Sequence, residues 1–107
     1  MQHPYALLTP DTVQDALDSI GLCGDGRLLA LNSFENRVYQ VYLDVPVQGH
    51  EVVVLKFYRP GRWSEAQILE EHAFAAELAE AEIPMLAPLC LRGRTLHPHG
   101  GFAFSVS

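Results

Sequence analysis

Apolar and polar positions divide the 107-residue chain into two helical segments and a set of short strands. Val13, Leu17 and Ile20 recur at helical spacing behind Leu8-Thr9-Pro10-Asp11. A short helix is expected there, with Thr9 as cap, Pro10 in the first turn and Gly21 at its end. Gly24-Asp25-Gly26 reads as a turn, and Leu28-Leu29-Ala30-Leu31 starts a strand. Polar-rich residues 32–36 form a hairpin tip before the second strand, residues 37–43. There Val38, Gln40 and Tyr42 alternate with Tyr39, Val41 and Leu43. Residues 44–50, containing Pro46 and Gly49, read as a connection to a third strand, Val52-Val53-Val54-Leu55-Lys56-Phe57-Tyr58.

Ser64 followed by Gln67 is a capping-box pattern, and the helix it opens is expected to run to about Glu82, before Pro84. At about 100° per residue, Ile68, Glu71, Ala75, Leu78 and Ala79 share one stripe, with Phe74 at its margin. Glu70, Glu77 and Glu80 fall outside it. Beyond Pro84, Leu89-Cys90-Leu91, Thr95-Leu96-His97 and residues 102–106 read as closing strands, with a tight reversal at Pro98-His99-Gly100-Gly101. The expected fold class is α+β: one domain over residues 1–107, an antiparallel sheet of about five strands with one main helix packed on it and a short N-terminal helix.

Lys56 breaks the apolar pattern. Side chains alternate along a strand, so Val52, Val54, Lys56 and Tyr58 share one face and Val53, Leu55 and Phe57 the other. An unpaired ammonium among such neighbours is costly, so it must snorkel, pair, or meet an anion. One reading is an edge-strand lysine that discourages sheet-to-sheet pairing. The other is a phosphate-binding lysine held by a helical carboxylate, and Glu71 on the inward stripe of the next helix is the candidate.

Composition narrows the function classes. With 49% apolar and 19% charged residues the chain is an ordinary globular one, and a net charge of -6 speaks against a nucleic-acid surface. No apolar run reaches the length of a membrane span, and Met1-Gln2-His3-Pro4 lacks signal-peptide character, so a cytoplasmic location is expected. Cys23 and Cys90 match no metal or redox spacing and are expected as free, buried thiols. His97 and His99 could share a strand face, but Pro98 between them and the lack of a third ligand argue against a metal site. Arg59 and Arg62, in the link to the helix, could reach an anionic group, but a solvated turn is the commoner reading.

In order, a polar-tipped hairpin, a strand ending in an apolar-Lys-aromatic triplet, a helix with an inward glutamate and closing strands resemble the N-terminal lobe of a protein-kinase-like fold. More narrowly, the chain resembles the stress response kinase A family, bacterial serine/threonine kinases related to aminoglycoside, choline and homoserine kinases. Three blocks carry the resemblance: Leu31-Asn32-Ser33-Phe34-Glu35-Asn36-Arg37-Val38-Tyr39-Gln40, Lys56-Phe57-Tyr58-Arg59-Pro60 and Ile68-Leu69-Glu70-Glu71-His72. The resemblance implies ATP and Mg2+ as cofactors, Lys56 on the ATP phosphates with Glu71 as its partner, and Ser33, Phe34, Glu35 and Asn36 as the loop over those phosphates. That tip lacks the glycines of the protein-kinase loop, although backbone amides and the Ser33 and Asn36 side chains can still donate to phosphate.

Every aspartate, from Asp11 to Asp44, precedes Lys56, and no H-x-D-x-x-x-x-N pattern occurs. The catalytic aspartate and metal ligands of a kinase are therefore expected in a C-terminal lobe, and this segment alone is expected to be inactive and to bind nucleotide weakly. The leading expectation is the ATP-binding lobe of a protein serine/threonine kinase. Alternatives are the same lobe of an enzyme that phosphorylates a small alcohol such as homoserine, choline or an aminoglycoside, and a free-standing interaction module. An isolated lobe would expose apolar surface and is expected to self-associate.

Overall fold

The computed structural model describes residues 5–6, 8–31, 35–83 and 86–107. Its elements are α1 (Pro10–Ser19), β1 (Gly24–Leu31), β2 (Arg37–Val47), β3 (His50–Tyr58), α2 (Glu65–Glu80), β4 (His97–His99) and β5 (Phe102–Val106). The strands form one antiparallel sheet in the order β1-β2-β3-β5-β4. The chain is thus the expected α+β lobe, with an antiparallel five-stranded sheet and two helices. Asn32, Ser33, Phe34, Pro84 and Met85 lie outside the described residues, so the expectations for the hairpin tip and for the helix stop at Pro84 fall there only in part.

The alternation expected for β3 is present. Val53, Leu55 and Phe57 are buried against the larger of two apolar clusters, which takes Val13, Ala16 and Leu17 from α1 and Phe102, Phe104 and Val106 from β5. We call this side the core face. α1 is capped as its sequence implies, the Thr9 hydroxyl accepting from the Thr12 amide at 3.2 Å, and Gly21 follows it with φ of 79°. The opposite side, the lysine face, carries the smaller cluster of buried apolar residues, Tyr58, Ile68 and Leu96, with Trp63 and Ala103 packed around them.

Cross-strand register sets what surrounds Lys56. Val38 and Ser105 lie directly opposite it on β2 and β5, and Leu31 pairs with Val38, so Leu31, Val38, Lys56 and Ser105 form one row. The next row holds Leu29, Gln40 and Val54, and beyond it Tyr42 faces Val52. Leu29, Leu31 and Val52 remain exposed, so this end of the lysine face is open and apolar.

Several boundaries differ from expectation. Gly24-Asp25-Gly26 belongs to β1, where the register shifts between Gly24 and Leu28. Residues 44–47 extend β2 past a second irregularity, and the reversal is reduced to Gln48-Gly49, both at positive φ (48° and 82°), the backbone of a tight two-residue hairpin. Leu89-Cys90-Leu91 is not a strand; Leu91 makes an isolated bridge to Arg94. Pro98 and His99 lie in β4, an edge strand that tolerates a proline, and the turn is Gly100-Gly101. Cys23 and Cys90 are free but exposed, not buried.

α2 begins with the expected capping box: the Gln67 amide donates to Ser64 Oγ at 3.1 Å, and the Ser64 amide to Gln67 Oε1 at 2.8 Å. It ends at Glu80, two residues before the expected Glu82. Glu82 turns left-handed at φ of 61°, while the Ile83 amide reaches the Leu78 carbonyl and the Glu82 amide the Ala79 carbonyl. This paired closure stops the helix before any proline is needed.

Candidate phosphate-binding site

Lys56 and Glu71 come together between β3 and α2. Lys56 Nζ is 3.8 Å from Glu71 Oε1 and 5.1 Å from the centroid of the Tyr58 ring. The lysine is held between a carboxylate and an aromatic face, which gives its ammonium partners on an otherwise apolar strand. One part of the sequence reading is corrected. Glu71 is not on the buried stripe of α2: its side chain is 65% exposed, against 35% for Lys56, and the buried positions are Ile68, His72 and Ala75. Leu78 is half-buried and Ala79 exposed. The stripe is rotated by one residue, because α2 touches the sheet only at the Tyr58 end and leaves Glu71 on the rim, above Lys56.

The base of the hairpin tip is tied into this region from two directions. Asn36 is buried, and its Oδ1 accepts from the Arg59 amide at 3.2 Å, joining the start of β2 to the end of β3. Glu35 Oε1 accepts from Arg62 Nε at 3.2 Å, so its carboxylate is turned toward the β3–α2 link. The Glu35 carbonyl accepts from the Tyr5 hydroxyl at 2.8 Å. Arg62 makes this contact from the exposed turn that its sequence implies, with half of its side chain still in water. Ser33 and Phe34 lie outside the described residues.

Two hollows border the lysine. A small one of about 40 Å³ lies between Asn36, Lys56, Gln67 and Glu71. A second of about 140 Å³ runs from Lys56 and Glu71 past His72 to Leu86, Pro88 and Ser107. Together with the open apolar end of the face, they give Lys56 access to a ligand that is anionic at one end and apolar at the other.

The sequence profile of the phosphotransferase enzyme family matches residues 27–107. The chain belongs to that family. Within it, the chain is 48% identical over 102 residues to "Stress response kinase A" of Escherichia coli (strain K12), and 48% identical to the protein of that name from Shigella flexneri. It is 46% identical over 102 residues to "Serine/threonine protein kinase RdoA" of Salmonella typhimurium (strain LT2). Each match covers 95% of this chain, but the chain spans only about 30% of the length of these relatives. No helix of the described residues is long and apolar enough to cross a membrane.

For this phosphotransferase family member, sequence reasoning overlooked a buried polar group beside the pair. His72 Nε2 is 2.8 Å from the Tyr58 hydroxyl, and His72 Nδ1 is 2.8 Å from Thr95 Oγ1. The Tyr58 hydroxyl is also 3.4 Å from Ser105 Oγ. Burial pushes the His72 imidazole below its usual range, with Lys56 adding to the effect and Glu71 opposing it. Burial likewise raises the Tyr58 phenol, so at neutral pH both groups are uncharged. The signal was present: Ile68, His72 and Ala75 are as good a helical stripe as Ile68, Glu71 and Ala75, and a histidine there implies a polar partner on the sheet.

Proposed function

We propose that the chain is the nucleotide-binding lobe of an ATP-dependent kinase whose second lobe supplies the remaining machinery, with serine or threonine of a protein as acceptor. The observation that carries the reading is the Lys56–Glu71 pair at the edge of an open apolar sheet face, in a chain of the phosphotransferase enzyme family. The donor set fits a nucleotide. Contact at 3.8 Å to a solvated carboxylate leaves the Lys56 ammonium able to turn to a phosphate, and the row of Leu29, Gln40 and Val54 offers a base two apolar side chains with an amide between them.

In this reading Lys56 binds the phosphates, Glu71 orients Lys56, and residues 33–36 close over them with backbone amides and side-chain donors. The contribution is positioning and stabilisation of charge during transfer of the γ-phosphoryl group. Mg2+, when bound, would neutralise phosphate charge. In this reading its ligands come from the second lobe. The protein acceptor follows the names of the relatives, and a cytoplasmic location goes with it. Phe74, at 60% exposure, and the exposed Ile83 and Leu86 supply apolar surface for a second lobe, and for self-association of this segment alone.

The test is Lys56→Met in the full-length protein, assayed for γ-phosphoryl transfer from ATP to a generic protein acceptor and, in parallel, to homoserine, choline and an aminoglycoside. Loss of transfer with the fold retained supports the reading, and wild-type transfer rejects it. Transfer to an alcohol but not to protein would keep the lobe assignment and replace the acceptor.

A further inference from the structure

Two links join the same strand to the same helix, side by side. The outer link is Lys56 to Glu71; the inner link is Tyr58 to His72, two residues along β3 and one residue along α2. They differ in kind. The outer pair is solvated and 3.8 Å long, a contact that adds little to stability against side-chain entropy and screening and does not itself fix the helix. The inner pair is buried, 2.8 Å long, and continues on both sides, from His72 to Thr95 and from Tyr58 toward Ser105.

Among the described residues little else fixes α2. Of its side chains only Ile68, His72 and Ala75 are buried, and the cluster on that face of the sheet is small. A neutral imidazole has one donor and one acceptor, and the hydroxyls of Tyr58 and Thr95 can each serve either need, so the chain of bonds closes in either tautomer. Buried and satisfied, such a chain tolerates only one rotation and one axial position of the helix, because any other leaves a hydroxyl or a ring nitrogen without a partner. Ser105 ties the same chain to the lysine from below, since it is the cross-strand neighbour of Lys56.

We propose that His72 is a positioning residue: through Tyr58 and Thr95 it sets the rotation of α2 on the sheet and thereby holds Glu71 over Lys56. This rests on the reading of Lys56 and Glu71 given above. It assigns the exposed pair to function and the buried pair to geometry. No substrate contact by His72 is needed for this role.

The experiment uses the full-length protein with His72→Leu, Tyr58→Phe, Glu71→Gln and the double variant His72→Leu/Glu71→Gln, read by kcat and KM for ATP and by amide hydrogen exchange. His72→Leu is expected to lower kcat/KM roughly tenfold in the wild-type background and by less than about threefold once Glu71 is already glutamine. An equal loss in both backgrounds, or none in the first, overturns the proposal. Tyr58→Phe removes one hydroxyl and should reproduce the effect if His72→Leu fails to fold. Exchange reads the anchor without turnover: α2 amides should exchange faster in His72→Leu while those of β3 and β5 stay protected, and unchanged α2 protection overturns the proposal. The Lys56→Met result separates the two claims. Undiminished transfer there removes the nucleotide-site reading, and the exchange data still decide whether His72 anchors the helix.

Discussion

The two faces of the sheet are built to different standards. On the core face, Phe57 is fully buried, packed on Phe104 with ring centroids 5.2 Å apart and edge-on to Tyr39, and α1 closes over this side with Val13, Ala16 and Leu17. On the lysine face, one residue away along the same strand, Lys56 is partly solvated and α2 covers only the Tyr58 end. Apolar area removed from water scales the stabilisation, so the ten-residue α1 contributes more to the folded state than the sixteen-residue α2. The longer helix has a different task. It presents a carboxylate to a lysine at the edge of an open surface, which a fully packed helix could not do.

The largest effect expected is on stability, from the core face. Phe57→Ala should cost about 3–5 kcal/mol, while Ile68→Ala, a deletion on the buried side of α2, should fall at or below the low end of its class, about 2 kcal/mol. Denaturant midpoints of both variants check this. Equal losses would mean that the two faces are packed alike.

Next comes the effect on turnover. Lys56→Met should lower phosphoryl transfer by roughly 100-fold, the scale for removing one preorganised charge-stabilising donor. Its denaturant midpoint should stay within about 1 kcal/mol of wild type, because the ammonium is already partly in water and methionine keeps the stem. A parallel loss of stability would mean that the lysine is a structural residue of its face.

Much of this contrast is legible in the sequence, and the part that is not has a physical cause. Period-two alternation through residues 52–58 assigns each side chain to a face of β3, because strand geometry leaves no choice. The Ser64–Gln67 box marks the start of α2 because its hydrogen bonds are local. A helix, in contrast, can be rolled, and whether Glu71 or His72 points inward depends on where the sheet lies, a non-local fact. The same limit applies to β2. Pro46 and Gly49 suggest a long connection, but cross-strand pairing between Val47 and His50 carries the hairpin past the proline to Gln48-Gly49. The exposure of Cys23 and Cys90 is equally non-local: Cys23 directly precedes β1, and Cys90 lies in the irregular link between α2 and β4.

Each face also buries one histidine, which sharpens the comparison at a smaller scale. His72, on the lysine face, has hydroxyl partners at both ring nitrogens. His97, on the core face opposite Phe104, has no partner for Nε2 among the described residues. Replacing His72 with leucine should cost about 1–3 kcal/mol at pH 7.5, because the Tyr58 and Thr95 hydroxyls are left without it. His97→Leu should be close to neutral, since an apolar side chain suits the surface of Phe104. Burial holds both imidazoles below their usual range. Stability from this source is therefore fully present above about pH 6.5, the unfolded value, and is lost as pH falls below it toward the folded values. Urea midpoints at pH 7.5 and 5.5 should converge in either variant relative to wild type, and an undiminished acid loss in both would place it on other groups.

The smallest expected effect is the most discriminating. If the buried link holds α2 and the exposed link serves a ligand, Glu71→Gln should leave stability nearly untouched, because a solvated pair at 3.8 Å contributes about 0–1 kcal/mol. Raising the salt concentration should likewise move the wild-type midpoint little through this pair. Transfer from ATP should nonetheless fall, since Lys56 would lose the carboxylate that restrains its ammonium. A midpoint loss well above 1 kcal/mol in Glu71→Gln would show that the rim pair carries the helix, and the division of labour between the two links would collapse. A small midpoint change with a clear loss of turnover would locate the cost of the substitution in the placement of the lysine, where the geometry of the rim puts it.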